Sequence, residues 1–193
     1  MFAPKLCQFG ILASLEIGKS TYIEKVKIKN FKCFEGWFEV DFNQGVNIIV
    51  GNNEAGKSTL LEAIHLCLTG MLKRKYLRNE LSPYLFNRKV ERAYLDSIAS
   101  KQPLDPPEIQ IELFFGGDSD TLEDLRGNGN SEKNDKARGL LFSIEFDKKY
   151  DGAHTELLKS KEITRYPWNS IRFNGRSSPA NRRRLEASPS NWR

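Results

Sequence analysis

Residues 51–59, GNNEAGKST, combine glycine, lysine and hydroxyl side chains at a spacing that suits the binding of nucleotide phosphates. The pattern G-x-x-x-x-G-K-[S/T] is formed by Gly51, Gly56, Lys57 and Ser58. Backbone N–H groups of such a loop point inward at the anion, and glycine permits the dihedral angles and the close approach that this requires. We expect Lys57 to reach the β- and γ-phosphates and the Ser58 hydroxyl to ligate Mg²⁺.

This chemistry also needs a strand before the loop and a helix after it. Residues 46–50, VNIIV, are mostly apolar and β-branched, which predicts a strand buried on both faces. From Lys57 onward, apolar residues recur at spacings of three and four, which predicts an amphipathic helix whose N-terminus faces the phosphates, with Thr59 near the α-phosphate. The predicted nucleotide-binding residues are Gly51, Asn52, Asn53, Glu54, Ala55, Gly56, Lys57, Ser58 and Thr59. The alternative is a glycine-rich turn between a strand and a helix, with no ligand.

A second G-K-S-T sequence, at residues 18–21, lacks this context. Ala13 stands where the first glycine of the pattern belongs, and the residues that follow alternate as in a strand. No helix N-terminus would face an anion there, so we interpret the repeat as a coincidence.

The rest of the chain predicts a protein built from both strands and helices. Strands are predicted at 23–31, 37–42, 108–115 and 140–146, with a weaker one at 155–164. Residues 71–100 are predicted to be mostly helical, and residues 116–139 to form a polar, solvated loop.

Composition and charge are those of a soluble globular protein. Of 193 residues, 39% are hydrophobic and 28% are charged, and no apolar run approaches the roughly 18 residues that a membrane span needs. Three scattered cysteines and two histidines favour a reducing, cytoplasmic environment over a disulfide framework or a His/Cys metal site.

The net charge of +5 comes from the two ends of the chain. We therefore divide the chain into a disordered leader at 1–21, a folded part at 22–167 and a basic tail at 168–193 that is disordered or non-native. The alternative for the tail is an arm that binds nucleic acid.

The order of these features is more specific than the loop alone. A strand ending in IKNFKCFEG, a second strand and then IIVGNNEAGKSTLLEAI resemble the amino-terminal lobe of ABC-type ATPases of the SMC, RecF and double-strand-break-repair kind. GNNEAGKSTLLEAI with the later PPEIQIELFF and LLFSIEF looks most similar to the ATPase domain of overcoming-lysogenisation-defect (OLD) family ATP-dependent endonucleases. The resemblance covers roughly residues 22–165.

This resemblance implies a fold, cofactors and partners. The fold would be α/β, a P-loop NTPase of the ABC-ATPase amino-terminal type, with a mixed sheet and an antiparallel β-subdomain. ATP and Mg²⁺ would bind, and a homodimer would form through the ATPase domain. Asn53 would face the phosphates, and Lys32 would approach the nucleotide. The alternative for Lys32 is one more exposed lysine.

The parts needed for hydrolysis are not recognisable in the sequence. A run of four apolar residues followed by Asp-Glu, an L-S-G-G-like signature and a suitably placed histidine are absent, so no catalytic residue is predicted. Asp118-Ser119-Asp120 is interpreted as part of a solvated loop rather than a nuclease metal site. We expect the front portion of an OLD-type endonuclease that binds ATP without efficient turnover. The alternatives are an SMC- or RecF-like DNA-repair ATPase fragment and a nucleotide-binding module without turnover.

Residues 71–92 are the candidate DNA-binding segment. The segment carries seven basic residues against two acidic ones, with aromatic residues between them. The basic residues are Lys73, Arg74, Lys75, Arg78, Arg88, Lys89 and Arg92. Contacts between such a stripe and DNA phosphates would be independent of base sequence and sensitive to salt. The alternative is a solvated helical face with its aromatic residues turned into the core.

Overall fold

A five-stranded antiparallel sheet is the largest element of the computed structural model, which describes residues 21–77, 82–100, 102–118, 120–127, 129–160 and 171–177. The strands are β1 (Tyr22–Lys29), β2 (Trp37–Asp41), β3 (Met71–Leu72), β4 (Lys75–Tyr76), β5 (Ile109–Gly116), β6 (Gly139–Phe146) and β7 (Ile171–Ser177). The large sheet has the order β2-β1-β5-β6-β7, and β3 pairs with β4 in a separate hairpin. Every strand pair among the described residues is antiparallel.

Alternation along β1 shows why this segment forms a strand with one buried face. Val26 and Ile28 are fully buried, whereas Lys25, Lys27 and Lys29, which alternate with them, lie on the other face. Lys25 and Lys27 both pair there with Glu39 of β2, at 3.2 and 3.6 Å. Opposite charges on neighbouring strands therefore support the register of the β1–β2 pair.

The described residues also form three α-helices, with 3₁₀ turns at Pro83–Leu85, Asp120–Leu125 and Lys148–Tyr150. The helices are α1 (Lys57–Thr69), α2 (Arg88–Ala99) and α3 (Asp151–Ser160). Helix α1 lies against β5 and β6, and its buried side chains are Leu60, Ala63, Leu66 and Cys67. The Cys67 thiol donates to the carbonyl of Ile111 on β5 at 3.6 Å, and burial raises the pKa of this thiol. None of the described helices has the length and apolar character that crossing a membrane requires.

Helices α2 and α3 meet at a tyrosine–histidine contact. The Tyr94 hydroxyl of α2 lies 2.5 Å from Nε2 of His154 on α3, and the Phe146 ring packs against the imidazole with its centroid 4.8 Å away. Burial lowers the pKa of His154 and raises the pKa of Tyr94 to about 12. The contact is therefore built around a neutral histidine.

Several predicted elements are confirmed, and three are wrong. The strands predicted at 23–31, 37–42, 108–115 and 140–146 and the helix from Lys57 are present. The strand predicted at 155–164 is wrong: helix α3 covers Asp151–Ser160, whose Ala, Glu, Leu and Lys residues are good helix formers. The helical prediction for 71–100 fails at its start, where β3 and β4 form a hairpin, and holds over α2.

The buried strand predicted at 46–50 is also wrong. Val46, Ile48 and Val50 are 90%, 82% and 82% exposed, and this segment pairs with no strand among the described residues. A strand buried on both faces must belong to a sheet that is covered on its two faces, and residues 46–50 belong to neither of the described sheets.

The start of the predicted tail and the predicted polar loop are more ordered in the structure than the sequence predicted. Strand β7 pairs with β6 from Ile171 to Ser177, so the sheet extends beyond the predicted boundary at residue 167. The leader at 1–20 and the tail at 178–193 lie outside the described residues. The predicted polar loop packs on the protein: Leu122 and Leu125 are buried, and Ser131 donates twice to the buried Glu112 carboxylate, at 2.6 and 2.8 Å.

Candidate phosphate-binding site

The loop at 51–56 forms a tight turn that delivers the chain into helix α1. The Ala55 N–H donates to the Asn52 carbonyl at 3.2 Å, and Glu54 has a φ of 71°. Gly56 has a φ of 90°, outside the range that most L-residues adopt, and its carbonyl accepts the first α1 bond from Leu60 at 2.8 Å. This left-handed step explains why the pattern has glycine immediately before the lysine.

The N-terminus of α1 is open to a ligand. Gly56, at the N-cap, provides no side-chain cap, and the first turn has no acidic residue. The first N–H groups of a helix have no partner within the helix, so here they can serve an anion. Ser58 is exposed in this turn, and Thr59 is half-buried.

Lys57 closes the loop from within. Its Nζ donates to the carbonyls of Gly51 and Asn52, both at 2.7 Å. The ammonium therefore lies across the loop beside the helix N-terminus, and its described hydrogen bonds go only to neutral acceptors. A phosphate would gain an ion pair from it, whereas carbonyls offer only dipoles.

A second turn, at residues 30–36, forms the back wall of the loop. A Cβ atom placed on Gly56 would lie 3.0 Å from both the Cys33 sulfur and the Phe34 ring. Phe34 is buried and stacks on Phe38 with ring centroids 4.2 Å apart. The loop is therefore packed against a fixed surface, and only glycine fits at position 56.

Two buried asparagines build that back wall. Asn30 has a φ of 57°, accepts from the Gly36 N–H at 3.0 Å and donates to the Glu108 carbonyl at 3.0 Å. Asn87 caps α2 through the Lys89 N–H at 3.0 Å and donates to the Lys32 carbonyl at 2.9 Å. The Lys32 backbone is thus held from outside the turn, with a φ of 50°.

The Lys32 side chain reaches helix α1. Its ammonium pairs with the carboxylate of Glu62, and the two side chains retain 24% and 32% of their exposure. Glu62 lies four residues after Ser58, on the same face of α1, and therefore one helical turn from the start of the helix. The charge of Lys32 is therefore paired with a carboxylate about one helical turn from the start of α1, and its approach to the nucleotide stays a prediction.

The residues present fit a nucleotide with Mg²⁺, although the protein supplies few metal ligands. Within the described parts of the chain, no three His, Cys, Asp or Glu side chains cluster in a way that could hold a metal ion. Ser58 offers an exposed hydroxyl at the open helix end. A metal at this position would take most of its oxygen ligands from phosphate and water, as Mg²⁺ commonly does.

Comparison with known proteins identifies the family. The AAA domain family matches residues 25–185, which is most of the chain. The chain belongs to the AAA domain family. Its fold is that of a P-loop NTPase, as the resemblance predicted, with mixed α/β architecture. The predicted mixed sheet is not found among the described residues, where every strand pair is antiparallel. The likeness to ATPases of the SMC and RecF kind is confirmed at this level, whereas the OLD assignment stays a prediction.

The curated relatives of this AAA domain are much longer proteins. DNA replication and repair protein RecF of Clostridium acetobutylicum is 35% identical over 96 residues, 50% of this chain and 25% of the relative. Structural maintenance of chromosomes protein 6 of Saccharomyces cerevisiae is 29% identical over 139 residues, 68% of this chain and 12% of the relative. The DNA double-strand break repair Rad50 ATPase of Methanopyrus kandleri is 46% identical over 54 residues, 28% of this chain and 6% of the relative. The AAA domain thus spans a quarter or less of each.

The basic residues of the AAA domain's predicted DNA segment do not form one helical face. Lys73 and Arg74 occupy the two-residue turn of the β3–β4 hairpin, with φ values of 50° and 66°. Lys75 follows on β4, and Arg88 and Arg92 are exposed on α2. Arg78 lies outside the described residues.

The other side chains of that segment divide between the core and the surface. Lys89 pairs with Glu35 at 2.8 Å. Phe86 is buried, as the alternative predicted, whereas Tyr76 and Tyr84 are 58% and 81% exposed.

Reasoning from the sequence did not assign several residues that shape the site. These residues are Asn30, Cys33, Phe34, Glu62 and Asn87. One signal was available, since asparagine tolerates left-handed backbone better than most residues and Asn30 precedes a predicted turn. The roles of Glu62 and Asn87 depend on contacts between distant segments, which no local pattern indicates.

Proposed function

We propose that this AAA domain binds ATP with Mg²⁺ at residues 51–59 and acts as the nucleotide-binding part of a DNA-repair ATPase. The observation that carries the proposal is the pairing of an uncapped helix N-terminus with the Lys57 ammonium, which bridges the Gly51 and Asn52 carbonyls. The lysine contributes positive charge and the helix N-terminus contributes N–H donors, and the two lie side by side. An anion can interact favourably with both.

Each loop residue has a role in this proposal. Asn52, Asn53 and Glu54 are exposed and would present backbone N–H groups to the phosphates, Lys57 would supply positive charge, and Ser58 would supply the hydroxyl for Mg²⁺. The Ala55 N–H donates to the Asn52 carbonyl and would have to leave that bond to contact a phosphate. The metal, when bound, neutralises phosphate charge. Lys32 stands at the side of the site and adds a second cation when it leaves Glu62.

We infer that turnover needs groups from outside the described residues. Among the described residues, no cluster of carboxylates that could hold a metal ion is found. The exposed apolar segment at 46–50 is suited to pairing with a strand from another part of the assembled protein. A homodimer would bring a second copy to the nucleotide and complete the site. A DNA-repair ATPase is preferred to an OLD-type endonuclease, because the relatives that match the chain are named for DNA replication and repair, chromosome structure and double-strand break repair.

The β3–β4 hairpin supports DNA as the partner. Three consecutive basic residues, Lys73, Arg74 and Lys75, are exposed there beside the exposed ring of Tyr76. Two non-glycine residues with positive φ at the turn cost conformational energy, and such strain is often retained at functional positions. Phosphate contact would fit this charge, and the relatives named for DNA repair agree with it.

The test is nucleotide binding by the full chain with Lys57→Ala, and with Lys75→Ala as a control that removes an exposed lysine of the hairpin. Titration of a fluorescent ATP analogue with Mg²⁺ should give a dissociation constant that Lys57→Ala weakens at least tenfold. Lys75→Ala should leave it unchanged. Equal binding by wild type and Lys57→Ala, or no binding by wild type, contradicts the proposal.

A further inference from the structure

We infer that Glu62 restrains Lys32 and that a bound triphosphate must compete with this carboxylate for the lysine. The inference rests on the proposed function and concerns the regulation of the same site. It assigns a role to Glu62, which the phosphate-loop pattern leaves open. Glu62 is a positioning residue in this scheme, since it acts through Lys32.

The first argument is the fixed origin of the Lys32 side chain. The Lys32 N–H donates to the Leu85 carbonyl at 2.8 Å, and its own carbonyl accepts from Asn87 at 2.9 Å. Both bonds come from the segment that leads into α2, so the Lys32 backbone is held in place against this segment. Only the side chain is free to redirect its charge.

The second argument is the position of Glu62 along α1. It lies four residues, or about 6 Å of helix rise, beyond Ser58 and on the same face. Side chains on a helix lean toward its N-terminus, so the Glu62 carboxylate points along α1 toward the open end of the helix. A lysine paired with this carboxylate is therefore about one helical turn from the position that we propose for the anion.

The third argument is the energy scale. Both side chains keep about a quarter to a third of their exposure, so solvent screens the pair and its strength is modest. A multiply charged phosphate chain offers more negative charge than one carboxylate, whereas a diphosphate offers less charge at a greater distance. The exchange should therefore favour a triphosphate over a diphosphate.

The experiment measures dissociation constants for ATP and ADP, each with Mg²⁺, for wild type, Glu62→Gln, Lys32→Met and the double variant. Glu62→Gln frees the lysine and should tighten ATP binding about fivefold, the equivalent of a partly exposed ion pair, with a smaller gain for ADP. In the Glu62→Gln background, Lys32→Met should weaken ATP binding about tenfold. Glu123→Gln is the matched control, because it removes one carboxylate from an exposed pair with Arg126 outside the site and should change neither constant.

Each outcome decides the matter. If Glu62→Gln weakens ATP binding or leaves it unchanged, the carboxylate does not restrain the lysine. If Lys32→Met has no effect in the Glu62→Gln background, the pair is structural and the inference is wrong. Thermal unfolding of all variants without nucleotide shows whether each is folded at the temperature of the titration, so that a loss of ATP binding is not caused by unfolding. Absence of ATP binding by wild type overturns the proposed function together with this inference, whereas normal binding that is insensitive to Glu62 overturns the inference alone.

Discussion

Gly56→Ala tests whether the loop is moulded against the turn behind it. Gly56 has a φ of 90°, and an added Cβ would approach the Cys33 sulfur and the Phe34 ring to 3.0 Å. Backbone strain of this kind costs about 1–2 kcal/mol, and forcing a methyl group into a packed site adds about 1–3 kcal/mol. The free energy of unfolding should therefore fall by about 2–5 kcal/mol if the loop stays in place.

Gly45→Ala supplies the matched control. Gly45 has a φ of 103°, yet a Cβ there meets nothing within 4 Å. This variant carries the strain without the contact and should lose only about 1–2 kcal/mol. The two proteins therefore differ by the packing of the loop alone.

Urea denaturation and nucleotide titration together measure the effect. If the loop moves to avoid the clash, stability is partly recovered but the N–H groups no longer converge, and ATP affinity should fall at least tenfold. Gly45→Ala should bind ATP as wild type does. Equal stability and equal affinity for the two variants would refute the claim that residues 33 and 34 shape the loop.

Two further predictions concern the hairpin and the histidine. Lys73→Asn with Arg74→Gly removes two charges but installs the preferred residues of a two-residue turn, so the hairpin should persist while the slope of log affinity for DNA against log salt falls by about 2. Removing Lys148 and Lys149 instead should leave that slope unchanged. Since burial lowers the pKa of His154, the unfolded chain binds more protons, and stability should fall as pH drops through about 6.5. Urea midpoints from pH 7.5 to 5.5 should show this decline, and His154→Gln should flatten it.

Local patterns predicted most of the sheet and the start of α1. The alternation in β1 and the apolar run of β5 determine which faces are buried, and both are visible in the sequence. The loop spacing likewise reports a backbone requirement, because Gly56 must be glycine. These features depend on residues that are close together in the chain.

Long-range contacts explain what the sequence did not predict. The β3–β4 hairpin turns through Lys73 and Arg74, which lack the glycine or asparagine that usually marks such a turn. Lys32 is placed by Asn87, 55 residues away, and its charge is paired by Glu62, 30 residues away. The apolar run at 46–50 predicted burial because apolar side chains favour burial. Whether such a segment is buried depends on the elements that pack against it, and these cannot be read from its own residues.

The exposed apolar segment at 46–50 also affects how strongly the protein associates with itself in solution. Each exposed valine or isoleucine forgoes roughly 1.5–3 kcal/mol of transfer energy, and the backbone beside it is an open template for β-addition. In concentrated solution, two such segments from different molecules can pair with each other, and we expect the protein to self-associate. We expect a partner strand that covers this segment to lie beside the proposed nucleotide loop, which begins at the next residue, Gly51.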